Sequence, residues 1–353
     1  MTTIYDVAKA AGVTAATVSN VLSGKRPVSE ATRERVMKYV QELGYRPNQI
    51  ARSLIKQRTK TVGLVIPNIG NPFYAALAKA VERITCTAGV RVFIISTNRD
   101  ERVGQKLLDD LLSRRVDGII IVSELLSLTK AVQSLNASSP VPLPIVICLW
   151  EEGELDLVPS VNFDYFAAGR LAAEHLSGLG HRRIAVVTDG LSCDSVSIQK
   201  IHHTARLAGF QATLAQHGYP LDQSLLGIGG SSLEGGKKTA YRLLQLPEPP
   251  TAIFATNDLM AFGVMSAAWE LGIQVPHQLS VMGFDDIDLA AYHVPPLTTI
   301  IMRASAVAEQ ALHIVFHLIE GKHVVSPASL QPALAVRGST APLVVKPTYT
   351  VAH

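Results

Sequence analysis

The sequence predicts two unlike parts, a small all-α head and an α/β body built as two doubly wound parallel-sheet lobes. Three observations carry this. Residues 1–46 hold helical apolar spacings interrupted by Gly12, Gly24 and Gly44; from Thr61 onward short Val/Ile-rich runs alternate with helical patterns; and basic charge gathers at the N-terminal end. At 353 residues the chain exceeds what one core commonly holds, and its 48% hydrophobic residues suffice to fill several.

In the head, Thr3 is placed to cap a first helix with Asp6 three residues on, and Ile4, Val7, Ala8 and Ala11 line one face of it. Gly12 permits the positive φ of a helix end, Thr14 caps the next helix, and Val18, Val21 and Leu22 form its apolar side. Gly24 closes that helix. Ser29 is the expected cap of a third, in which Val36, Tyr39, Val40 and Leu43 cover the first two before Gly44 stops it. The pattern is that of a helix-turn-helix.

Charge separates nucleic-acid binding from a plain helical cap. Residues 1–60 carry eleven Lys or Arg against four Asp or Glu, a surplus of +7, whereas the whole chain is only +3, so the remaining residues carry −4. A positive field confined to one end suits phosphates. The competing reading is a solvated charged face. Residues 47–60 read as a basic linker with a helical middle, because Pro47 breaks the third helix and Asn48 can cap a short new one.

The body begins with the strand TVGLVIP, a helix from Pro72 to Ala88, the strand VFIIS, a helix from Val103 to Arg115, and the strands GIIIVS and IVICL. A second series starts near Val161: a helix Phe166–Leu179, the strand RIAVV, helices Thr204–His217 and Glu234–Leu244, the strand TAIFAT, a helix Asp258–Gly272 and the strand LSVMGF. Continuous Val/Ile runs suit strands covered on both faces, hence parallel sheets with a ligand cleft at the carboxyl ends of the strands. The expected division is 1–46 head, 47–60 linker and 61–353 body, with an N-lobe of about 61–160 plus 290–322 and a C-lobe of about 161–289 plus 323–341.

Enzymatic motifs are missing from the sequence. It contains no Walker A pattern, no HExxH and no GxSxG, and the glycines of GIGGSSLEGGKK lack dinucleotide-binding spacing and read as a turn. The adjacent Asp285 and Asp286 would point to opposite faces of a strand and share no proton. Cys86, Cys148 and Cys193 are widely spaced and read as small buried apolar side chains in a reducing compartment. The N-terminus lacks the apolar core of a signal peptide, so a cytoplasmic protein is expected. No catalytic residue, cofactor or metal is assigned.

The segments TIYDVAKAAGVTAATVSNVLSG, VSEATRERV, ELGYRPNQIARSL, TVGLVIPNIGNPFY, RRVDGIIIVS, EHLSGLGHRRIAVV, RLAGF, FATNDLMAFG, VMGFDD, PPLTTI and LAVRGST, in that order, resemble the LacI/GalR family of bacterial transcriptional regulators over nearly the whole chain. The resemblance implies a periplasmic-binding-protein-like body, a double-stranded pseudo-palindromic operator as partner, a homodimer, and repression controlled by a small effector, here expected to be sugar-like, with purines and sugar phosphates as the alternatives that relatives use. It implies DNA contacts from Thr3, Tyr5, Thr14, Ala15, Ala16, Thr17, Ser19 and Asn20, and from a hinge helix carrying Asn48, Ala51, Arg52 and Leu54. Leu54 matches the family's minor-groove wedge, a device that opens the groove at the cost of unstacking. Asn20 stands where relatives commonly carry Arg; Asn favours adenine and Arg guanine, so the half-site should differ at that base. Ile55 departs from the basic residue expected beside the wedge.

Family-matched strand ends supply the effector-binding candidates: Phe73 and Tyr74 to stack on a flat or sugar-ring face, and Arg206, Asn257 and Asp285 to grip hydroxyls, with Asp164 and Asn162 as further candidates. Each has a structural alternative, since Asn257 and Asp258 could serve as helix caps, Asp285 as a turn residue, and the aromatics as core. The stretch between Gly190 and Arg206 is longer than usual in the family and brings His202 and His203 into question. LWEEGE lacks an arginine often found there. The C-terminal APLVVKPTYTVAH has no leucine heptad, which argues for a dimer over a heptad-built tetramer. The alternative class is a periplasmic-type solute binder, from which deletion of the residues up to Lys60 would remove nothing.

Overall fold

A computed structural model of the chain describes residues 2–24, 26–46, 58–98, 100–122, 142–149, 158–189 and 201–343, with the backbone alone at 101, 105 and 201–204. The contacts divide into two units, Met1–Thr59 and Lys60–His353. Lys60 therefore belongs to the body, where its amide donates to the Asp117 carboxylate and its carbonyl accepts from Arg91.

The head contains α1 (Ile4–Ala11), α2 (Ala15–Ser23) and α3 (Glu30–Glu42). Thr3 and Asp6 form the expected reciprocal capping box, and the Thr3 amide and hydroxyl hold the Asp6 carboxyl below the usual carboxylate range. Gly12, at φ 62°, turns the chain from α1 towards Thr14, whose hydroxyl accepts from the Thr17 amide. Val7, Ala8, Ala11, Val18, Val21 and Val36 make the buried centre. Two expectations fail here. Ser29 precedes α3, but its hydroxyl donates to the Thr32 hydroxyl instead of accepting from a helix amide. Leu43 lies beyond the last turn of α3 and is exposed.

The N-lobe sheet has the order β2-β1-β3-β4-β5, all parallel, from β1 (Thr61–Ile66), β2 (Arg91–Ser96), β3 (Gly118–Val122), β4 (Ile145–Cys148) and β5 (Ser160–Val161). The period of two along each strand sends Leu64, Ile66 and Ile120 to one face and Val65, Ile119 and Ile121 to the other, where they join two separate apolar clusters. Helix α4 (Pro72–Thr87) and a late helix, Ala304–Ile319, belong to the first cluster; α5 (Glu101–Ser113), through Leu108 and Leu111, belongs to the second. Both faces are covered, which is why the strands are nearly unbroken Val/Ile.

After β5 the chain passes into the C-lobe through α6 (Tyr165–Gly178), β6 (Ile184–Thr188), α7 (Ile201–Gln216), β7 (Leu226–Ile228), α8 (Leu233–Leu244), β8 (Ala252–Ala255), α9 (Asp258–Glu270), β9 (Ser280–Asp285), α10 (Asp288–Tyr292) and β10 (Thr298–Ile301). It then returns as α11 (Ala304–Ile319) on the N-lobe sheet and ends in β11 (Ala333–Ala335). The sheet order is β11-β10-β9-β8-β6-β7, parallel except for the β10–β11 pair. The expected return to the N-lobe near residue 290 is therefore corrected. Thr298–Ile301 bonds in register to Met282–Asp285, so the crossing follows Ile301. The glycine-rich stretch is a turn only in part, because Gly227 and Ile228 lie in β7.

Candidate functional site

Arg206 projects from α7, a helix held against α6 at unusually short range. A Cβ on Gly169 would collide with the Arg206 carbonyl, and one on Gly209 with the Phe166 carbonyl, so the two glycines let the backbones touch. The Arg206 side chain is only 4% exposed. Its guanidinium donates to the Thr256 carbonyl, lies 3.5 Å from the centroid of Phe284 and sits 5.1 Å from that of Tyr165. Tyr165 and Phe284 stack at 6.2 Å and 15°, and Phe163 meets both rings edge-on. A planar cation over aromatic faces keeps its orientation and its in-plane donors while losing most of its water.

The strand ends converge here. Thr256 and Asn257 follow β8, Asp285 closes β9, Thr188 closes β6 and Asn162 follows β5. Asn257 accepts from the Met260 amide at 2.8 Å, the capping role that is its alternative, and Asp164 accepts from the Ala167 amide at 2.8 Å, a cap the sequence reading does not assign to it. Asp285 is 8% exposed at φ 111°, followed by Asp286 at φ 57°. Backbone in this region costs energy in a side-chain-bearing residue and persists only where surroundings enforce it. Two contacts do so: Asp286 pairs with Arg337 at 2.6 Å, and the Ile287 amide donates to Asp258 at 2.9 Å.

Asp258, which reads in the sequence as a helix cap, is fully buried and also accepts from the Thr299 hydroxyl at 2.6 Å. Burial pushes its carboxyl up to about 7, against the pull of the Thr299 and Ile287 bonds. Sequence reasoning also missed Tyr165, Phe163 and Phe284 as a platform, and Thr188 and Ser231 as polar positions. The Asn162 Oδ1, Thr188 Oγ1 and Ser231 Oγ atoms are buried and find no hydrogen-bond partner among the described residues. Each such atom costs about 1–3 kcal/mol, recoverable by a polar ligand or water.

Phe73 and Tyr74 share the large apolar cluster that holds Phe163, Tyr165 and Phe284. They form an edge-to-face pair of their own at 5.4 Å and are 4% and 9% exposed within the core, so the structure favours their packing alternative. Cys148 is buried and its thiol is pushed up by burial, whereas Cys86 is exposed, contrary to the expectation for it. Cys193, Lys200 and the rest of 190–200 lie outside the described residues, as does LWEEGE from Trp150 onward; no side chain is described for His202 and His203.

In the head, Ala16 and Ser19 are exposed on α2, as is Thr14 at its N-cap, and Asn20 is half-buried, while Ala15 and Thr17 turn partly inward. Tyr5 is 73% exposed on α1. Thr3 and Thr14 commit their hydroxyls to capping. Asn48, Ala51, Arg52, Leu54 and Ile55 lie outside the described residues.

Comparison with known proteins places this arrangement. Residues 3–48 match the model of bacterial regulatory proteins of the lacI family, and residues 173–340 match a periplasmic binding protein-like domain. The chain is 37% identical to the HTH-type transcriptional regulator DegA of Bacillus subtilis (strain 168), over 97% of this chain and 99% of that protein. Among solved structures, the lac repressor dimer bound to operator and the anti-inducer ONPF superposes with a TM-score of 0.83 at 28% identity, covering 96% of this chain and 99% of the other. The transcriptional regulator CelR in complex with cellobiose superposes at 0.67 with 27% identity, covering 96% and 100%. A helix-turn-helix head on a two-lobed body, shared along nearly the full length of such relatives, makes this chain a member of the lacI family of bacterial regulatory proteins, a DNA-binding transcriptional regulator and not an enzyme.

Proposed function

We propose that the chain is a homodimeric repressor that reads a pseudo-palindromic operator in the bacterial cytoplasm and responds to a sugar or sugar derivative bound between the lobes. The observation that carries the ligand assignment is Arg206, buried over the Phe284 ring at the strand ends, where Asn162 and Thr188 hold buried oxygens that find no hydrogen-bond partner among the described residues. Ring-shaped ligands with several hydroxyls offer an apolar face to such a platform and paired oxygens to a guanidinium. CelR, a relative solved with cellobiose, supports the same class. Asn162, Thr188, Asn257 and Asp285 complete the site, with Asp164 at its edge and Phe73 and Tyr74 behind its N-lobe wall.

For DNA, the exposed Ala16 and Ser19 and the half-buried Asn20 of α2 enter the major groove, with Ala15 beside them. Thr3, Tyr5, Thr14 and Thr17 hold the backbone, and the hinge with Asn48, Ala51, Arg52 and Leu54 reaches the minor groove. The sequence-to-base assignment rests on Asn20. A second copy covers the apolar groove of about 770 Å³ beside Trp269 and Val294, which are 80% and 87% exposed. Two copies give two heads, matching a two-fold site.

The test is binding of the purified protein to operators selected from random DNA, at several salt concentrations and with a panel of sugars and purines. A symmetric site, a steep salt slope and one sugar that shifts affinity are expected. Enrichment of no site would reject the operator reading, and a response confined to purines would reject the sugar.

A further inference from the structure

Helix α11 carries a row of polar side chains one turn apart that neither the operator nor the cleft uses. Glu309, His313 and His317 stand at positions i, i+4 and i+8, the spacing that stacks side chains on one helical face. They line one wall of a groove of about 560 Å³, whose opposite wall is formed by His323, Val324 and the residues after it.

Geometry within the row is specific. The His313 and His317 ring centroids are 4.2 Å apart with planes at 49°. The His317 Nδ1–H donates to the His313 carbonyl at 2.8 Å, which fixes the tautomer and leaves Nε2 as the free lone pair. Metal-binding histidines characteristically hold their second ring nitrogen in this way. Two further observations point to a ligand. Gln310, on the same wall, buries its Oε1 with no hydrogen-bond partner among the described residues. The pair also stands near the C-terminal end of a 16-residue helix, where backbone carbonyls concentrate partial negative charge that favours a cation.

We propose that His313 and His317 form a two-histidine chelate for a divalent transition-metal ion such as Ni²⁺ or Zn²⁺ on the exposed side of α11. Among the described residues no three metal-type side chains are arranged to hold an ion together, so the chelate is open and water fills its remaining positions. Imidazole pairs suit Zn²⁺, Ni²⁺ and Cu²⁺ and discriminate against Mg²⁺, which demands oxygen ligands. An ion there would bind the last turns of α11, the helix that returns the chain from the C-lobe to the N-lobe.

The test is calorimetric titration of the untagged full-length protein with NiCl₂ and ZnCl₂, beside His313→Gln, His317→Gln and the double variant. Expected are one Ni²⁺ per chain and at least tenfold weaker binding in either single variant. Thermal unfolding should rise with Ni²⁺ in the wild type alone and should match across variants without metal, which shows that they fold. Excess MgCl₂ should leave the Ni²⁺ titration unchanged. Absence of saturable Ni²⁺ binding would overturn the proposal, and so would undiminished binding in the double variant, which would place the ion at the exposed Cys86 or another site.

Discussion

The two lobes share an architecture but bury different chemistry. In the N-lobe the sheet interior is Val62, Leu64, Ile66, Ile119, Ile120, Ile121, Val146 and Ile147, and the buried polar residues among those described are neutral, such as Thr61, Thr85 and Asn71. In the C-lobe, His181, Arg206, Asp258 and Asp285 are all buried, each of them ionisable. An apolar core gains stability from area and tolerates repacking, whereas a buried polar network is demanding because every unmatched atom is costly. The contrast assigns shape to one lobe and recognition to the other. Under the proposed function, a ligand in the cleft would be gripped mainly from the C-lobe and covered by the N-lobe.

The comparison breaks most visibly at Asp258. Asp258→Ala removes the acceptor for the Thr299 hydroxyl and the Ile287 amide and should destabilise the protein by about 3 kcal/mol or more, measured by urea unfolding at pH 6. A loss near 1 kcal/mol would reduce Asp258 to an ordinary contact. Next in size, Arg206→Met should weaken the sugar response at least tenfold, since bonds to charged donors contribute about 1.5–3 kcal/mol, while Phe73→Leu across the cleft should change it less. Equal losses would mean that the N-lobe also recognises the ligand.

The pH dependence sharpens the same contrast. The folded chain keeps the Asp258 proton up to about pH 7, whereas the unfolded chain releases it near 3.8. This contribution is therefore greatest at the acid end and is lost as pH rises, at up to about 1.4 kcal/mol per unit, flattening above 7. Burial lowers His175 and His181 instead, so their contribution is present above the unfolded value of 6.5 and lost as pH falls. Comparing wild type with Asp258→Asn between pH 5 and 8 isolates the carboxyl: the difference should slope below 7 and level off above it, and a flat difference would mean that Asp258 is ionised throughout. Smallest of all, Ile121→Val in the N-lobe should cost about 1 kcal/mol at any pH in that range. A pH-dependent cost there would contradict the apolar reading of that core.

How much of this could be read beforehand follows from range. Thr3, Asp6, Gly12 and Thr14 act on neighbours within a turn, and the Val/Ile runs declare strands by their own composition. The strands β7, β10 and β11 are three or four residues long and gain their identity from partners elsewhere, as Thr298–Ile301 does from β9. Arg206 was legible because RLAGF resembles a family segment. Its platform was not, because Tyr165 and Phe284 meet across more than a hundred residues. Asp258 was hidden by its position at a helix start, where a cap is the ordinary explanation.

The glycine contacts between α6 and α7 have a mechanical consequence. With Arg206 and Gly169, and Phe166 and Gly209, at backbone contact, there is no slack for one helix to slide past the other. A ligand that draws Arg206 and its helix forward must carry α6 along, and α6 begins at Tyr165, immediately after the chain leaves the N-lobe strand at Val161. If the effector binds Arg206 as proposed, its tug on one guanidinium is geared through α6 to the chain segment that joins the two lobes.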